Sequence, residues 1–331
     1  MGIRMQSEKR DAYMDFLKGI AVLAVVVGHS IIDIPKTDFL FQIIYSFHMP
    51  LLIFLSAYIE EENSTKYAGR EGSMLLRRMC GLLLPYLSWT VIYAAVSGQL
   101  LSMDAVQLGR MLTGYTQNGL WFFPVLFGLK IMHFLYWIVQ KKLGQCTVLT
   151  SLLICFVLEV FAAILAVFTR QPYAVNILSY AIPYFAAVLL VDHEILQKLV
   201  ETEWLAAGCI FLYGILFLFF SFQNPDWTTQ ALRIVLSMCV IVLCCRFRSR
   251  WREHAANRAV CVYGRNSLAV YVLHVFFMDY KVYLHEIRSA VVASLLAAAA
   301  ACGVAVVCIG IARIIGISSW WRLLLFGESQ K

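Results

Sequence analysis

Residues 16–34 read FLKGIAVLAVVVGHSIIDI, an apolar run that carries Lys18 and His29 inside it. The run is long enough to cross the ~30 Å hydrocarbon core of a bilayer as one α-helix. At ~1.5 Å rise per residue the two side chains lie ~16 Å apart along the axis, and eleven residues is about three turns, so both project from one face. That reading puts Lys18 near a membrane surface and His29 roughly at mid-depth, both opening into one polar chamber. Ionisable groups inside a span mark a functional site.

The rest of the chain repeats the pattern. Of 331 residues, 61% are hydrophobic and 14% charged, and the mean hydropathy is +0.75. A soluble domain is nearer half apolar and one quarter charged. Ten stretches are read as spans: 16–34, 39–59, 79–98, 120–139, 147–168, 173–191, 204–221, 228–245, 265–284 and 289–312. The expected fold is therefore all-α, a polytopic bundle of about ten transmembrane helices. Segments 1–15 and 319–331 are expected as cytoplasmic tails around a transmembrane domain at 16–318. The first run is read as a retained span, because it has charged flanks and no small-residue cleavage site.

Positive charge sets the orientation. With the N-terminus inside, eighteen of the 27 basic residues fall in inner segments, among them Arg4, Lys9, Arg10, Lys66, Arg70, Arg77, Arg78, Arg313, Arg322 and Lys331. Five fall in outer loops: Lys36, Arg110, Arg170, Lys281 and Arg288. Both termini are thus expected on the cytoplasmic side of the cell membrane. The same bias accounts for the net charge of +7 without invoking nucleic acid. The basic run from Arg246 to Arg258 suits anionic lipid head groups, a polyanionic cofactor, or topology alone. The ten cysteines are scattered through spans and inner loops, form no metal-type pair, and read as small packing residues. No metal site is expected.

Further polar groups sit within the spans. His48 precedes Pro50 on the second span, at a depth comparable to His29, and is either structural or part of the site. Lys130 and His133 share a face of the fourth span, and Glu159 on the fifth is the expected ion-pair partner of Lys130. Arg233 either snorkels to the outer surface or lines a cavity there. Ser267, Tyr271 and His274 follow steps of four and three on the ninth span, as an interhelical hydrogen-bonding seam or a site wall. Asp15 lies one turn before Lys18 and is expected to pair with it. Pro50, Pro85, Pro124 and Pro183 are expected to bend their helices.

Four segments together resemble the acyltransferase-3 family of polytopic membrane acyltransferases. They are Asp15 to His29 with its basic residue, ten residues and histidine; Phe47-His48-Met49-Pro50 through Ser56; Leu120-Trp121-Phe122-Phe123-Pro124; and Asn266-Ser267-Leu268 with Tyr271 and His274. The Phe-His-Met-Pro string is most similar to the branch often labelled fucose 4-O-acetylase-like. The resemblance implies transfer of an acyl group, acetyl by family habit, from cytoplasmic acyl-CoA to a hydroxyl of a carbohydrate, glycolipid or other cell-envelope acceptor. Acyl-CoA would be a co-substrate, with no permanently bound cofactor. Lys18 and His29 would be the central catalytic pair, with His48 beside them. Lys18, Arg77 and Arg78 would contact the coenzyme; Arg78 fits the first position of the family's basic pair, while Gly81 stands at the second. Asp15, Trp121, Tyr271 and His274 would bind or orient substrate. His29 would either deprotonate the acceptor hydroxyl or carry the acyl group briefly. The rival class is a transporter or flippase for a lipid-linked sugar, whose path the same buried charges would line. No paired broken helices are evident in matching halves of the sequence, which weighs against it.

Overall fold

The computed structural model describes residues 11–64, 71–99, 119–144, 146–169, 172–222, 226–252 and 254–327, with 104, 106, 107 and 109. Arg4, Lys9, Arg10, Lys66, Arg70, Arg110, Arg170 and Lys331, used above for orientation, lie outside the described residues. Every regular element among the described residues is helical.

Helix α1 (Ala12–Ile31) starts at Asp11, whose carboxylate accepts the N–H groups of Tyr13 and Met14 at 2.9 and 3.3 Å. The same carboxylate takes Arg248 at 2.5 Å, tying the start of α1 to the end of a later helix. α1 stops at Ile31, so His29 falls in its last turn. The expected mid-depth position is thus corrected: the apolar run outlasts the helix, and Ile32 to Ile34 lead into a 3-10 turn at Pro35–Thr37.

There follow α2 (Asp38–Glu62), α3 (Glu71–Val96), α4 (Phe122–Leu143), α5 (Val148–Thr169), α6 (Pro172–Asp192), α7 (Glu194–Val200), α8 (Glu203–Phe217) and α9 (Trp227–Phe247). Then come α10 (Ala255–Arg265), α11 (Ser267–Leu273), which tightens into a 3-10 turn at His274–Phe277, α12 (Lys281–Glu286), α13 (Ala290–Ile315) and α14 (Ser319–Phe326). Pro50, Pro85 and Pro183 lie inside helices. Pro124 does not interrupt one: it sits in the first turn of α4, where its missing N–H has no intrahelical acceptor to lose.

Among the described residues seven helices are long and apolar enough to cross a membrane, or up to nine if each of two bent pairs is one span. The bends are 111° between Asn176–Asp192 and Glu194–Val200, and 67° between Asn257–Arg265 and Ser267–Phe277. The difference from ten lies mainly in α8, whose 15 residues reach only ~22 Å at helical rise. The ninth expected span, 265–284, is not one helix: it begins at the break after Arg265, tightens into the 3-10 turn at His274–Phe277, and ends in the separate short helix α12.

α1 and α2 form the centre, each 67% buried over its span, against 22% for α5 and 28% for α13. α1 and α10 cross closely because glycine stands on both sides. A Cβ at Gly264 would run into the Asp15 carbonyl, and one at Gly19 into the Val260 carbonyl. α13 meets the bundle along Ala293, Ala297, Ala301 and Ala305, all fully buried at steps of four. Small residues allow such approach where lipid supplies no hydrophobic drive between helices.

One end of the bundle is held by charge. Glu60, in the last turn of α2, receives Arg78 of α3 at 2.7 Å and Lys130 of α4. The next residue, Glu61, accepts His133 Nε2–H at 2.7 Å, and the Tyr184 hydroxyl of α6 lies 3.1 Å from His133 Nδ1. The partner of Lys130 is therefore Glu60, not Glu159: the polar face of α4 turns toward the end of α2.

Two outcomes follow for stability in detergent, read by thermal unfolding. Glu60→Gln leaves the buried Lys130 and the half-buried Arg78 short of their counter-charge and costs about 3–5 kcal/mol, so it melts well below Glu62→Gln, whose side chain is 41% exposed; equal melting would show the cluster to be inert. Gly264→Ala overpacks the α1–α10 crossing by about 1–3 kcal/mol. Gly303→Ala, with open space around its Cβ, leaves the melting point unchanged.

Candidate active site

A cavity of about 430 Å³ opens at the end of α1, walled by His29, Tyr93, Ser97, Gly119, Leu120, Tyr271, His274 and Lys281 among others. The elements that build it come from four parts of the sequence: the last turn of α1, the end of α3, the entry to α4, and the segment from α11 to α12. His29 is half-buried, and its ring centroid stands 5.2 Å from that of His274 at an interplanar angle of 37°.

His274 owes its orientation to the tightening of its helix. As α11 passes into the 3-10 turn, His274 Nδ1 comes within 2.7 Å of the Tyr271 carbonyl and 3.1 Å of the Val270 carbonyl. Carbonyls only accept, so Nδ1 carries a hydrogen, and in the neutral ring Nε2 then holds a lone pair. That Nε2 is buried and has no hydrogen-bond partner in the structure, while the residue as a whole is 2% exposed. A buried polar atom left unsatisfied costs about 1–3 kcal/mol, and this one belongs to a residue lining the cavity.

The tyrosines of the wall are occupied. The Tyr271 hydroxyl donates to the Gly119 carbonyl, and that of Tyr93 donates to the Val272 carbonyl. Gly119 adopts φ +73°, a left-handed conformation that glycine enters without strain, and so turns the chain into α4. Tyr271 thus ties the cavity wall to the turn that leads into α4. At the rim, Lys281 reaches Asp33 at 3.5 Å. Lys36 donates to the His285 carbonyl at 2.8 Å, closing the same edge.

Of the other residues singled out in the sequence, His48 is buried, its Nδ1 donating to the Ile44 carbonyl at 2.7 Å and its ring meeting Tyr45 at 4.8 Å. It lies within electrostatic reach of His29 and Arg233 but does not line the cavity. Trp121 stacks on Tyr180 at 5.3 Å, leaving Leu120 on the wall. Arg233 does not snorkel: it is buried, donates to the Tyr180 hydroxyl at 2.6 Å, and lies over the Tyr180 and Phe222 rings.

Lys18 is half-buried and has Lys130 as an electrostatic neighbour, placing it toward the charged end of the bundle. It is not among the residues that line the His29 cavity. Asp15 is buried and faces Arg265, with 3.5 Å between its Oδ2 and the arginine Nε. Arg77 is exposed, and Arg78 is engaged by Glu60.

Three residues of consequence were not anticipated in these roles. Glu60 and Glu61 sit where the apolar run ends and read as the start of a loop. Lys281 reads only as an outer-loop charge. For the acids, the available signal was Lys130 and His133 on one face of α4, a pair that requires counter-charge somewhere.

Residues 11–314 match the acyltransferase domain that defines the acyltransferase-3 family. A stretch of 108 residues is 32% identical to the nodulation protein NolL of Mesorhizobium japonicum, covering 30% of this chain and 28% of that protein. The chain thus spans less than a third of that relative's length. No solved structure matches. With the family domain covering nearly the whole chain, and at least seven helices among the described residues long and apolar enough to cross a membrane, the protein belongs to the acyltransferase-3 family.

Proposed function

We propose that the protein is an O-acetyltransferase of the plasma membrane. It takes its acyl group from acyl-CoA on the cytoplasmic side, where both termini lie, and passes it to a hydroxyl of a carbohydrate or other cell-envelope acceptor. The observation that carries this is the pairing of a half-buried imidazole, His29, with a buried one, His274, whose Nε2 has no hydrogen-bond partner among the described residues. The Phe47-to-Pro50 string supports a sugar acceptor through its likeness to the fucose 4-O-acetylase-like branch.

In this reading His29 removes the proton of the acceptor hydroxyl. The oxygen attacks the thioester carbonyl, the C–S bond breaks, and the coenzyme leaves as thiolate to be protonated. Once His29 is an imidazolium, both its nitrogens are donors, and the lone pair on His274 Nε2 is suited to receive one of them. His274 is thus a positioning residue that stabilises the charged form of the base. Lys18, among the cations of the inner end, meets the pantetheine side of the donor. His48 and Trp121 support the site from the aromatic layer beside it.

The test is transfer of radiolabelled acetyl from acetyl-CoA in membranes from cells that make the acceptor. His29→Ala is expected to lower transfer about 10²–10⁴-fold at equal expression. His274→Ala should fall by less, and His48→Ala least, because only the first two line the cavity. Full transfer by His29→Ala overturns the base assignment. Passage of a lipid-linked sugar across the bilayer with no added acyl mass, seen by mass spectrometry of surface glycans, would replace the reading with a flippase.

A further inference from the structure

A second cavity, of about 210 Å³, lies at the ends of α10, α13 and α14. Arg265, Arg313 and Arg322 line it, one guanidinium from each helix, together with Asn266. We infer that this cavity holds the phosphate groups of the acyl-CoA donor, an inference that rests on the donor proposed above.

The charge balance is the first argument. Among the described residues, one carboxylate faces these three cations: Asp15, 3.5 Å from Arg265 Nε. Arg322 caps the end of α13, donating to the Gly316 carbonyl from Nε at 3.1 Å and also from Nη2. That anchors its plane and leaves Nη1 uncommitted. Arg313 has no ion-pair or hydrogen-bond partner among the described residues. Guanidinium groups bind phosphate bidentately, and three of them around a small cavity with one acid leave an excess positive charge for a polyanion. The volume is too small for a whole coenzyme and sufficient for its phosphates.

Position is the second argument. Leu268 and Ala269 line this cavity, whereas Tyr271, His274 and Val275 of the same segment line the histidine cavity. Asn266 and His274 are eight residues apart, ~12 Å at helical rise. The arginines and the imidazoles thus stand at the two ends of one short helix. A donor whose phosphates sit at one end of a flexible arm and whose thioester sits at the other fits that separation. A phospholipid head group shares the phosphate chemistry but would bring no reactive group to His274. Arg265 and Arg313 are exposed and Arg322 half-buried, so the cluster is open to a ligand arriving from outside the bundle.

The test uses the full chain in nanodiscs of phosphatidylcholine, titrated calorimetrically with CoA. Arg313→Glu reverses a charge that holds no other group and is expected to weaken CoA binding about tenfold or more, the loss of one charge-assisted contact. Lys198→Glu, which reverses a charge 72% exposed elsewhere, should leave it unchanged. CoA binding by the unsubstituted chain with equal affinity in Arg313→Glu overturns this site and leaves the donor reading intact. No CoA binding by the unsubstituted chain removes the donor reading and the site together. In discs containing phosphatidylglycerol, retention of that lipid that depends on Arg313, with CoA affinity unaltered, assigns the cavity to a head group and overturns the inference.

Discussion

The contact between the backbone of α1 at Asp15 and the α-carbon of Gly264 governs the rest of the site. It brings α10 against the base of α1 with no side chain between them. α10 then ends at Arg265, and α11 departs at 67°, carrying Tyr271 and His274 toward the far end of α1. The 5.2 Å separation of the His29 and His274 rings depends on that crossing as much as on either histidine. A bend at Asn266 in hydrocarbon exposes backbone groups, which is tolerable where protein surrounds it. Here the Asn266 amide returns to the Val262 carbonyl at 2.8 Å, and its N–H reaches the Tyr263 carbonyl at 3.1 Å.

Two treatments of buried polarity separate structure from chemistry in this molecule. At the charged end, Glu60 and Glu61 leave Lys130, Arg78 and His133 each with an acid within ion-pair distance. A buried pair of this kind adds little net stability, because desolvation offsets its attraction, yet it is costly to break. It fixes how α2, α3 and α4 meet. At the other end His274 Nε2 has no partner among the described residues, and the hydroxyls of Tyr93 and Tyr271, which line the same cavity, are turned elsewhere. Those hydroxyls are spent on the Gly119 and Val272 carbonyls instead. The fold therefore satisfies the walls and leaves the histidine open.

Much of this was legible in the sequence, because helical periodicity reports which residues share a face. Tyr271 and His274 were expected on one seam and do line one cavity. Periodicity does not report what a face meets, and so Lys18 and His29 share a side of α1 while only His29 lines the cavity at its end. The Lys130 partner was misassigned for a related reason. Glu60 and Lys130 are 70 residues apart, and nothing local to either distinguishes Glu60 from Glu159 as the counter-charge. Hydropathy counts apolar residues and does not register bends, so a run ending at Ile34 concealed a helix ending at Ile31 and a break after Arg265 passed as a span edge.

The separation of guanidiniums from imidazoles also has an electrostatic consequence. A base that must take up a proton is hindered by nearby fixed cations, and the size of the hindrance follows from distance. With an effective dielectric of about 20, one positive charge opposes another by about 4 kcal/mol at 4 Å but only about 1.4 kcal/mol at ~12 Å. Asp33 further offsets Lys281, the cation on the wall that His29 shares. In the proposed arrangement, phosphates seated among Arg265, Arg313 and Arg322 cancel part of the residual repulsion. Donor binding and proton uptake at His29 then favour one another, and by reciprocity a protonated His29 tightens the hold on the donor. In that arrangement, placing the two groups at opposite ends of α11 would let the fixed charges capture the anionic donor without disabling the base that deprotonates the acceptor.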